Sequence, residues 1–354
     1  MSDQRAGAAD ADAGNGFDVK QRQETNTMPH PMSRRAALGV LGCGLAGSAL
    51  AQAGADAAAA FPAKPIRLIV PFPAGGATDT LARHLAKGLQ QSWGQPVIVE
   101  NKPGAGGILG TKTVIGSAPD GHTLLVHLAS VLQQPHLRPS KPYTMAELAP
   151  ITNLVRAQLT LAVQKDLGVH TLDEFIALVR KNPGKYSLGN YGPGTTPHLQ
   201  GLMFARQANL DITPVAFQGG APLLVALKGN HVSAGLLDVA ALRTLGDNAK
   251  LLAITGPKRW PSLPDVPTFV EKGYHSLDAE GWIGLFAPAG TPEAIQQKLN
   301  REVVRLLRSP EITTAMQGLD MEIVGNELQA YRRQVQGDDA LYARIIQETG
   351  VRLD

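Results

Sequence analysis

Short apolar runs alternate with helical patterns along most of the chain, and turns rich in glycine and proline separate them. Ile66–Val70 is the first such run, and it is followed at helical spacing by Leu81, Leu85 and Leu89. A comparable run at Leu159–Val163 precedes another helical pattern. Short apolar strands separated by helices are typical of parallel sheets that are covered by helices. The pattern therefore predicts an α/β fold.

The length of 354 residues is more than one hydrophobic core usually supports. Two blocks of strands and helices follow one another from Phe61 onward, and an apolar run at Trp282–Pro288 begins a segment that completes the first block. We therefore expect a first lobe of residues 61–160 plus 282–354 and a second lobe of residues 161–281.

Two helix starts in this pattern are marked by their own residues. Thr171 and Glu174 form a capping box, which predicts a helix that continues to Lys181. Thr291 is expected to cap another helix, with Pro292 in its first turn.

Residues 1–60 have the composition of an export leader that is removed. Arg34 and Arg35 precede an uncharged run of small and apolar residues, as in a signal peptide. We expect cleavage near Ala58–Ala60, after export by either the twin-arginine or the general secretory route. The residues before Cys43 loosely resemble a lipoprotein box, so a form that is anchored through Cys43 is an alternative.

The composition excludes several classes of site. Cys43 is the single cysteine of the chain, which excludes a disulfide framework and a zinc site built on cysteines. The excess of 33 basic over 30 acidic residues is too small to indicate a nucleic-acid groove or a polybasic membrane surface. The nine histidines show no metal-binding spacing, so no metal is expected.

Pro71–Asp79 connects the first predicted strand to the first predicted helix and contains Gly75 and Gly76. The N–H groups in the first turn of a helix have no partner within that helix, and glycines let a ligand approach them closely. The turn is therefore suited to bind an anion such as a carboxylate. The alternative is a plain turn in which Thr78 or Asp79 caps the helix.

A similar turn, Gly189–His198, lies between a strand and a helix of the second block. The hydroxyl groups of Thr195 and Thr196 and the amides of the next helix are suited to hold the other end of a ligand. The alternative is a helix cap by one of these threonines, with His198 in a packing or capping role.

Signals for catalysis and for cofactors are missing from the sequence. Asn101–Gly107 is a further glycine-rich turn, but Leu109 stands where a dinucleotide fingerprint has its third glycine. The sequence contains neither a Gly-x-Ser-x-Gly elbow nor a His-Glu-x-x-His motif. Glycine-rich turns without a nucleophile indicate binding rather than turnover, so we expect no cofactor and no enzymatic activity.

The chain resembles the Bug family of tripartite tricarboxylate transporter receptors, which are periplasmic solute-binding proteins of bacteria. Matching motifs run in order through nearly all of residues 61–354, namely Lys64–Gly76 followed by Asp79, Val99–Gly107, Pro119–Leu125, Pro197–Leu199, Arg259–Thr268 and Trp282–Pro292. The resemblance implies a bilobal fold of the type II periplasmic-binding-protein kind, with two α/β lobes joined by two crossing segments and a ligand cleft between them.

The resemblance also implies a function and a set of binding residues. The protein is expected to be a periplasmic monomer that captures a small organic carboxylate, closes its lobes and delivers the ligand to a membrane permease, or serves as a sensor. The residues expected to bind the ligand are Phe72, Ala74, Gly75, Gly76, Thr78, Asp79 and Ser130 in the first lobe, and Gly192, Thr195, Thr196, His198, Phe217, Gln218, Gly219 and Asp238 in the second lobe.

The sequence departs from the family pattern at one edge of the expected cleft. Val215–Gly219 reads Val-Ala-Phe-Gln-Gly where the family usually has Val-Pro-Tyr-Lys-Gly, and Tyr191 stands where a turn containing serine is commoner. These changes make the edge less polar and less cationic, so they favour a less polar, aromatic carboxylate. Two other classes remain open: an enzyme on the same fold, with Asp79 or His198 as its base, and a protein-interaction module with a vestigial cleft.

Overall fold

The computed structural model describes residues 59–217, 219–239 and 245–353. Most of the predicted leader, including Cys43, lies outside these residues, and so does Gln218. The strands within the described residues are β1 (Ile66–Val70), β2 (Val97–Asn101), β3 (Thr123–Leu128), β4 (Leu148–Ala157), β5 (Leu159–Gln164), β6 (Ser187–Asn190), β7 (Thr213–Ala216), β8 (Ala234–Asp238), β9 (Ala249–Ile254), β10 (Gly281–Pro288) and β11 (Glu322–Ile323). The α-helices in the same ranges are α1 (Ala77–Trp93), α2 (Ile108–Ile115), α3 (Ser130–Leu137), α4 (Leu172–Lys181), α5 (Thr196–Gln207), α6 (Gly220–Lys228), α7 (Glu293–Leu307), α8 (Pro310–Gly318) and α9 (Leu328–Thr349).

The strands form two sheets. The first sheet has the strand order β11–β4–β10–β3–β1–β2, and the second sheet has the order β7–β6–β8–β5–β9. Strands β1, β2 and β3 are parallel, while β10 runs antiparallel to both β3 and β4. In the second sheet, β6 is parallel to β7 and β8, and β5 is antiparallel to β8 and β9. The predicted α/β architecture with two sheets is confirmed.

Helices cover both faces of the first sheet because the strands are apolar on both sides. On one face, α1, α7 and α8 bury Leu85, Val303 and Met316 against Leu68 and Ile283 of the strands. Full burial of a leucine or valine side chain contributes about 1.5–3 kcal/mol, so this face alone holds these helices firmly.

The core on the other face continues from the first sheet to the second. Ile69 and Trp282 of the first sheet belong to the same buried cluster as Leu161 of β5 and Phe204 of α5. Helix α9 contributes Tyr331 to this cluster. The two sheets are therefore joined by a shared core as well as by the chain.

The chain crosses between the sheets after Ala157 and again between Ile254 and Gly281. These crossings support the division into a first lobe of residues 61–160 plus 282–354 and a second lobe of residues 161–281, which we keep as a proposal.

The two predicted helix starts have different outcomes. The Thr171 hydroxyl accepts a hydrogen bond from the backbone N–H of Glu174, and α4 ends at Lys181 as predicted. The predicted cap by Thr291 is wrong, because α7 begins at Glu293 and Pro292 occupies the cap position. The Thr291 hydroxyl instead donates to the carbonyl of Pro288, which closes the turn after β10.

Candidate functional site

The carboxyl edge of the first sheet is where the first crossing starts. Strands β1 and β3 end at Val70 and Leu128, and β10 pairs Ile283 with Leu128. On its other side, β10 pairs Gly281 with Ala157, the last residue of β4. The turns that follow β1 and β3 therefore lie on the same edge as the crossing from β4 to β5.

The crossing leads directly to the carboxyl edge of the second sheet. Leu159 at the start of β5 pairs with Asp238, the last residue of β8. Strand β6 runs parallel to β8, so Asn190 ends at the same edge. The turns after β1 and β3 thus face the turns after β6, β7 and β8. Ligands of open α/β sheets bind at the carboxyl ends of the strands, so these facing edges form the candidate site.

Asp79 holds the first turn in shape. Its Oδ2 accepts hydrogen bonds at 2.9 Å from the backbone N–H of Gly75 and from Nε of Arg83. Its Oδ1 accepts from Nδ2 of Asn101 at 2.9 Å, and the same amide donates to the carbonyl of Phe72 at 3.1 Å. The side chains of Asp79 and Asn101 therefore hold the backbone of the turn at Gly75 and at Phe72.

The backbone of this turn is open to the facing edge. Ala74, Gly75 and Gly76 are exposed, whereas the side chains of Thr78 and Asp79 are buried. Gly75 has a φ of 87°, which favours glycine. Gly76 occupies the N-cap position of α1, so the alternative in which Thr78 or Asp79 caps the helix is wrong. The first amides of α1 remain as donors for an anion.

The carboxylate of Asp79 is held in its ionised form. Burial alone would raise its pKa, but hydrogen bonds from Arg83, from Gly75 and from Asn101 outweigh burial and lower the pKa below its usual range. The adjacent guanidinium of Arg83 also offsets the negative charge of Asp79. The turn can therefore receive a second anion in spite of the carboxylate beneath it.

The turn after β6 is closed by its own side chains. Oδ1 of Asn190 accepts from the N–H of Gly192 at 2.9 Å, and the Thr195 hydroxyl donates to the carbonyl of Gly192 at 2.7 Å. Nδ1 of His198 accepts from the N–H of Gly194 at 3.1 Å, and burial lowers the pKa of His198. His198 is therefore a neutral imidazole that caps the turn.

This turn also contacts the first sheet's helices. Oγ1 of Thr196 accepts a hydrogen bond from Nε2 of Gln133 in α3 at 2.8 Å. A Cβ atom on Gly194 would lie 2.6 Å from Leu137 and 2.8 Å from Leu353, so both leucines pack directly on the backbone of this glycine. The two facing edges are thus in contact at the start of α5.

The remaining predicted residues lie around these two turns. Ser130 is half-buried and begins α3 directly after β3. Phe217 follows β7, and Gly219 is the N-cap of α6 with a φ of 104°. Asp238 ends β8 and is half-buried. Gln218 lies outside the part of the chain that the structure describes, so its predicted contact stays a prediction.

The family model described as "Tripartite tricarboxylate transporter family receptor" matches residues 81–351. The chain belongs to this receptor family. The match covers both sheets except β1 and the turn that follows it.

Solved structures of the same kind are similar over most of the chain. The periplasmic binding protein BugD has a TM-score of 0.70 and 32% identity, over 82% of this chain and 99% of BugD. A protein of R. palustris solved with adipate has a TM-score of 0.73 and 29% identity, over 82% and 99% of the two chains. MatC of Rhodopseudomonas palustris, solved with bound malate, has a TM-score of 0.70 and 30% identity, over 81% and 100%.

Three residues of this receptor that hold the turns are absent from the set predicted to bind ligand. Asn101 ends β2 beside Val70 in β1, so its place at the first turn follows once the strands are paired. Tyr191 bonds Asp238 through its phenol, and the sequence marks it only as a departure from the family pattern. His127 in β3 carries no sequence signal, because it stands within an apolar run.

His127 supports the first turn from below. It is wholly buried, and its Nδ1 donates to the carbonyl of Leu128 at 2.8 Å. Its ring lies edge-on to Phe72 with the ring centres 5.1 Å apart. A Cβ atom on Gly107 would lie 2.4 Å from its Nε2, so the second glycine-rich turn closes over the imidazole. Burial lowers the pKa of His127 to about 4, which keeps it neutral.

Acidification from pH 7 to pH 5 is expected to destabilise the fold by about 2 kcal/mol through His127 alone. Its folded pKa of about 4 lies below the usual 6.5, so the unfolded chain binds the proton first. The stabilisation is complete above the unfolded pKa and is lost as the pH falls towards the folded pKa. Urea unfolding at the two pH values measures the loss.

The His127→Asn variant should lose this part of the pH dependence, since an amide can donate to Leu128 without titrating. His170→Asn, at an exposed histidine, is the matched control and should keep the dependence of the wild type. An equal loss of unfolding free energy between pH 7 and pH 5 in the wild type and in His127→Asn would contradict the prediction.

A cavity of about 580 Å³ lies at the β4–β11 edge of the first sheet, and none of the residues of these turns lines it. Arg156 lines it and pairs with Glu280 at 3.0 Å and with Glu322, so its charge is satisfied within the protein. Among the residues that the structure describes, no group of three or more histidine, cysteine or acidic side chains could hold a metal ion. Within the same residues, no helix is both long and apolar enough to cross a membrane.

Proposed function

We propose that this chain is a solute receptor that captures a small organic carboxylate between its two lobes and presents it to a tripartite-type permease or a sensor. The observation that carries the proposal is the first turn, whose exposed backbone at Ala74–Gly76 is tied down by Asp79 and Asn101 and precedes the free amides of α1. A helix N-terminus is an anion site that needs no cationic side chain. The relatives solved with adipate and with malate hold carboxylates, which supports this ligand class.

The two bases named for an enzyme on this fold are both occupied by structural bonds. The carboxylate of Asp79 accepts from Gly75, Arg83 and Asn101, and Nδ1 of His198 accepts from Gly194. Neither group is free to take a proton from a substrate in this arrangement. We therefore propose binding and release of an unchanged ligand. Mass spectrometry of the ligand before and after incubation would detect any turnover.

We propose that the receptor is an exported monomer whose mature chain begins near Phe61. Phe61 is buried, packs edge-on to Trp93 at 5.5 Å between ring centres, and its carbonyl accepts from Lys298. Cleavage near Ala58–Ala60 would leave these contacts intact. The mass of the periplasmic protein, together with its elution volume, tests the cleavage site, the alternative anchor at Cys43 and the monomeric state.

At least one compound in a panel of aliphatic and aromatic carboxylates is expected to raise the Tm of the purified mature protein by about 5 °C or more. Ligand at 100 times its Kd adds about 2.7 kcal/mol, and 1 kcal/mol corresponds to about 2–4 °C in a chain of this size. Differential scanning fluorimetry, followed by calorimetry of each hit, measures the effect. The neutral amide of each hit is the control and should give no shift. If none of the carboxylates raises the Tm, the result would contradict the proposed function.

A further inference from the structure

Tyr191 and Asp238 form a fixed polar pair on the second lobe's side of the cleft. The Tyr191 hydroxyl donates to Oδ2 of Asp238 at 2.9 Å and accepts from the backbone N–H of Asp238 at 2.8 Å. A Cβ atom on Gly220 would lie only 3.2 Å from the Tyr191 ring, so the start of α6 closes against that ring. Strands β6 and β8 and the start of helix α6 therefore fix the position of the pair.

The pair lies at the edge that faces the first turn. Tyr191 follows β6 directly and Asp238 ends β8, and both strands end where the crossing strand β5 begins. Phe217 lies beside them, because its carbonyl is 3.3 Å from the place of a Cβ on Gly192. The far wall of the cleft thus places a carboxyl group, held by a phenol, near the backbone of Phe217.

The chemistry of this wall is opposite to that of the first turn. The first turn offers backbone donors, whereas Asp238 offers carboxyl oxygens, and its Oδ1 is not used by Tyr191. Among the described residues, Asp238 has no ion-pair partner, so its charge is compensated by a phenol rather than by a cation.

We propose that Tyr191 and Asp238 make this receptor selective for monocarboxylates whose far end donates a hydrogen bond. The inference rests on the proposed function, since it places the carboxylate of the ligand at the first turn. A hydroxyl or amide at the far end reaches an acceptor in Asp238. A second carboxylate there meets the acceptor oxygens of Asp238 with no cation among the described residues to offset them, and a like-charge contact of this kind disfavours the ligand.

The test compares three compounds on each of two carbon skeletons by calorimetry with the purified mature protein. The aliphatic set is 6-hydroxyhexanoate, adipate and hexanoate, and the aromatic set is 4-hydroxybenzoate, terephthalate and benzoate. In the set that binds, the hydroxy acid is expected to bind at least about 10-fold more tightly than the dicarboxylate.

Asp238→Asn is expected to reduce this preference to less than about 3-fold, because the amide no longer repels a carboxylate. Asp173→Asn, at an exposed acid of the same lobe, is the matched control and should keep the full preference. Thermal unfolding of each variant shows whether it is folded.

Wild-type protein that binds adipate or terephthalate as tightly as the matching hydroxy acid would overturn the inference and leave the receptor function standing. An unchanged preference in folded Asp238→Asn would overturn it as well. If none of the six compounds binds while other dicarboxylates of the wider panel do, the inference also fails. If no carboxylate of the wider panel binds, that result contradicts the receptor function itself.

Discussion

Asp79→Ala is expected to weaken carboxylate binding by about 100-fold, although the Asp79 side chain lies beneath the turn rather than on its open surface. The substitution leaves the N–H of Gly75 without its acceptor and leaves the amide of Asn101 with the carbonyl of Phe72 alone. Each unpaired donor in a partly buried place costs about 1–3 kcal/mol, which the turn can avoid only by changing shape. A loss of about 2.7 kcal/mol in the bound geometry corresponds to 100-fold in Kd.

Two further variants separate shape from charge at this turn. Arg83→Gln removes the ion pair but leaves the bonds to Gly75 and Asn101, so Kd should rise by no more than a few-fold. Asp79→Asn keeps one acceptor oxygen, so its Kd should lie between the Kd values of Arg83→Gln and Asp79→Ala. Calorimetry with the best compound of the carboxylate panel measures all three. Unchanged affinity in a folded Asp79→Ala protein would show that the turn keeps its shape without the carboxylate.

The elements that the sequence predicts well are those set by local patterns. Ile66–Val70 forms β1 as predicted, because a short apolar run between polar segments has few alternatives to a buried strand. Strand β4 is not predicted, since Pro150 and Asn153 interrupt its apolar pattern. It is stabilised by its neighbours β10 and β11, which lie more than a hundred residues further along the chain.

The candidate site also has a part that the sequence predicts and a part that it does not. The turn Pro71–Asp79 is predicted from its glycines and its place between strand and helix, and the structure has it there. Its supports are not predictable, because Asn101 is 22 residues from Asp79 and only strand pairing brings them together. The pair of Tyr191 and Asp238 spans 47 residues and depends on β6 and β8 being neighbours. Sequence patterns mark the backbone that we propose binds the ligand, and tertiary structure determines which side chains hold that backbone in place.

Gly284→Ala in β10 is expected to destabilise the protein by about 3 kcal/mol or more, which is at the upper end for overpacking a core. A Cβ atom on Gly284 would lie 1.8 Å from the hydroxyl oxygen of Tyr331 and 3.0 Å from the ring of Trp282. Tyr331 cannot turn away easily, because it is wholly buried and its ring lies 5.6 Å from that of Phe286, measured between centres. Urea unfolding measures the loss.

Tyr331→Phe should rescue much of this loss. The Tyr331 hydroxyl is buried and has no hydrogen-bond partner among the described residues, so its removal alone is expected to change stability little. In the double variant, the closest contact of the new methyl group becomes the ring carbon at 2.8 Å, which a small shift of the ring relieves. Gly337→Ala is the matched control, since nothing lies within 4 Å of its Cβ position in α9, and it should stabilise the protein by about 1 kcal/mol. A Gly284→Ala protein within 1 kcal/mol of the wild type would mean that α9 can move away from β10 and that the core shared by the two sheets is looser than its packing indicates.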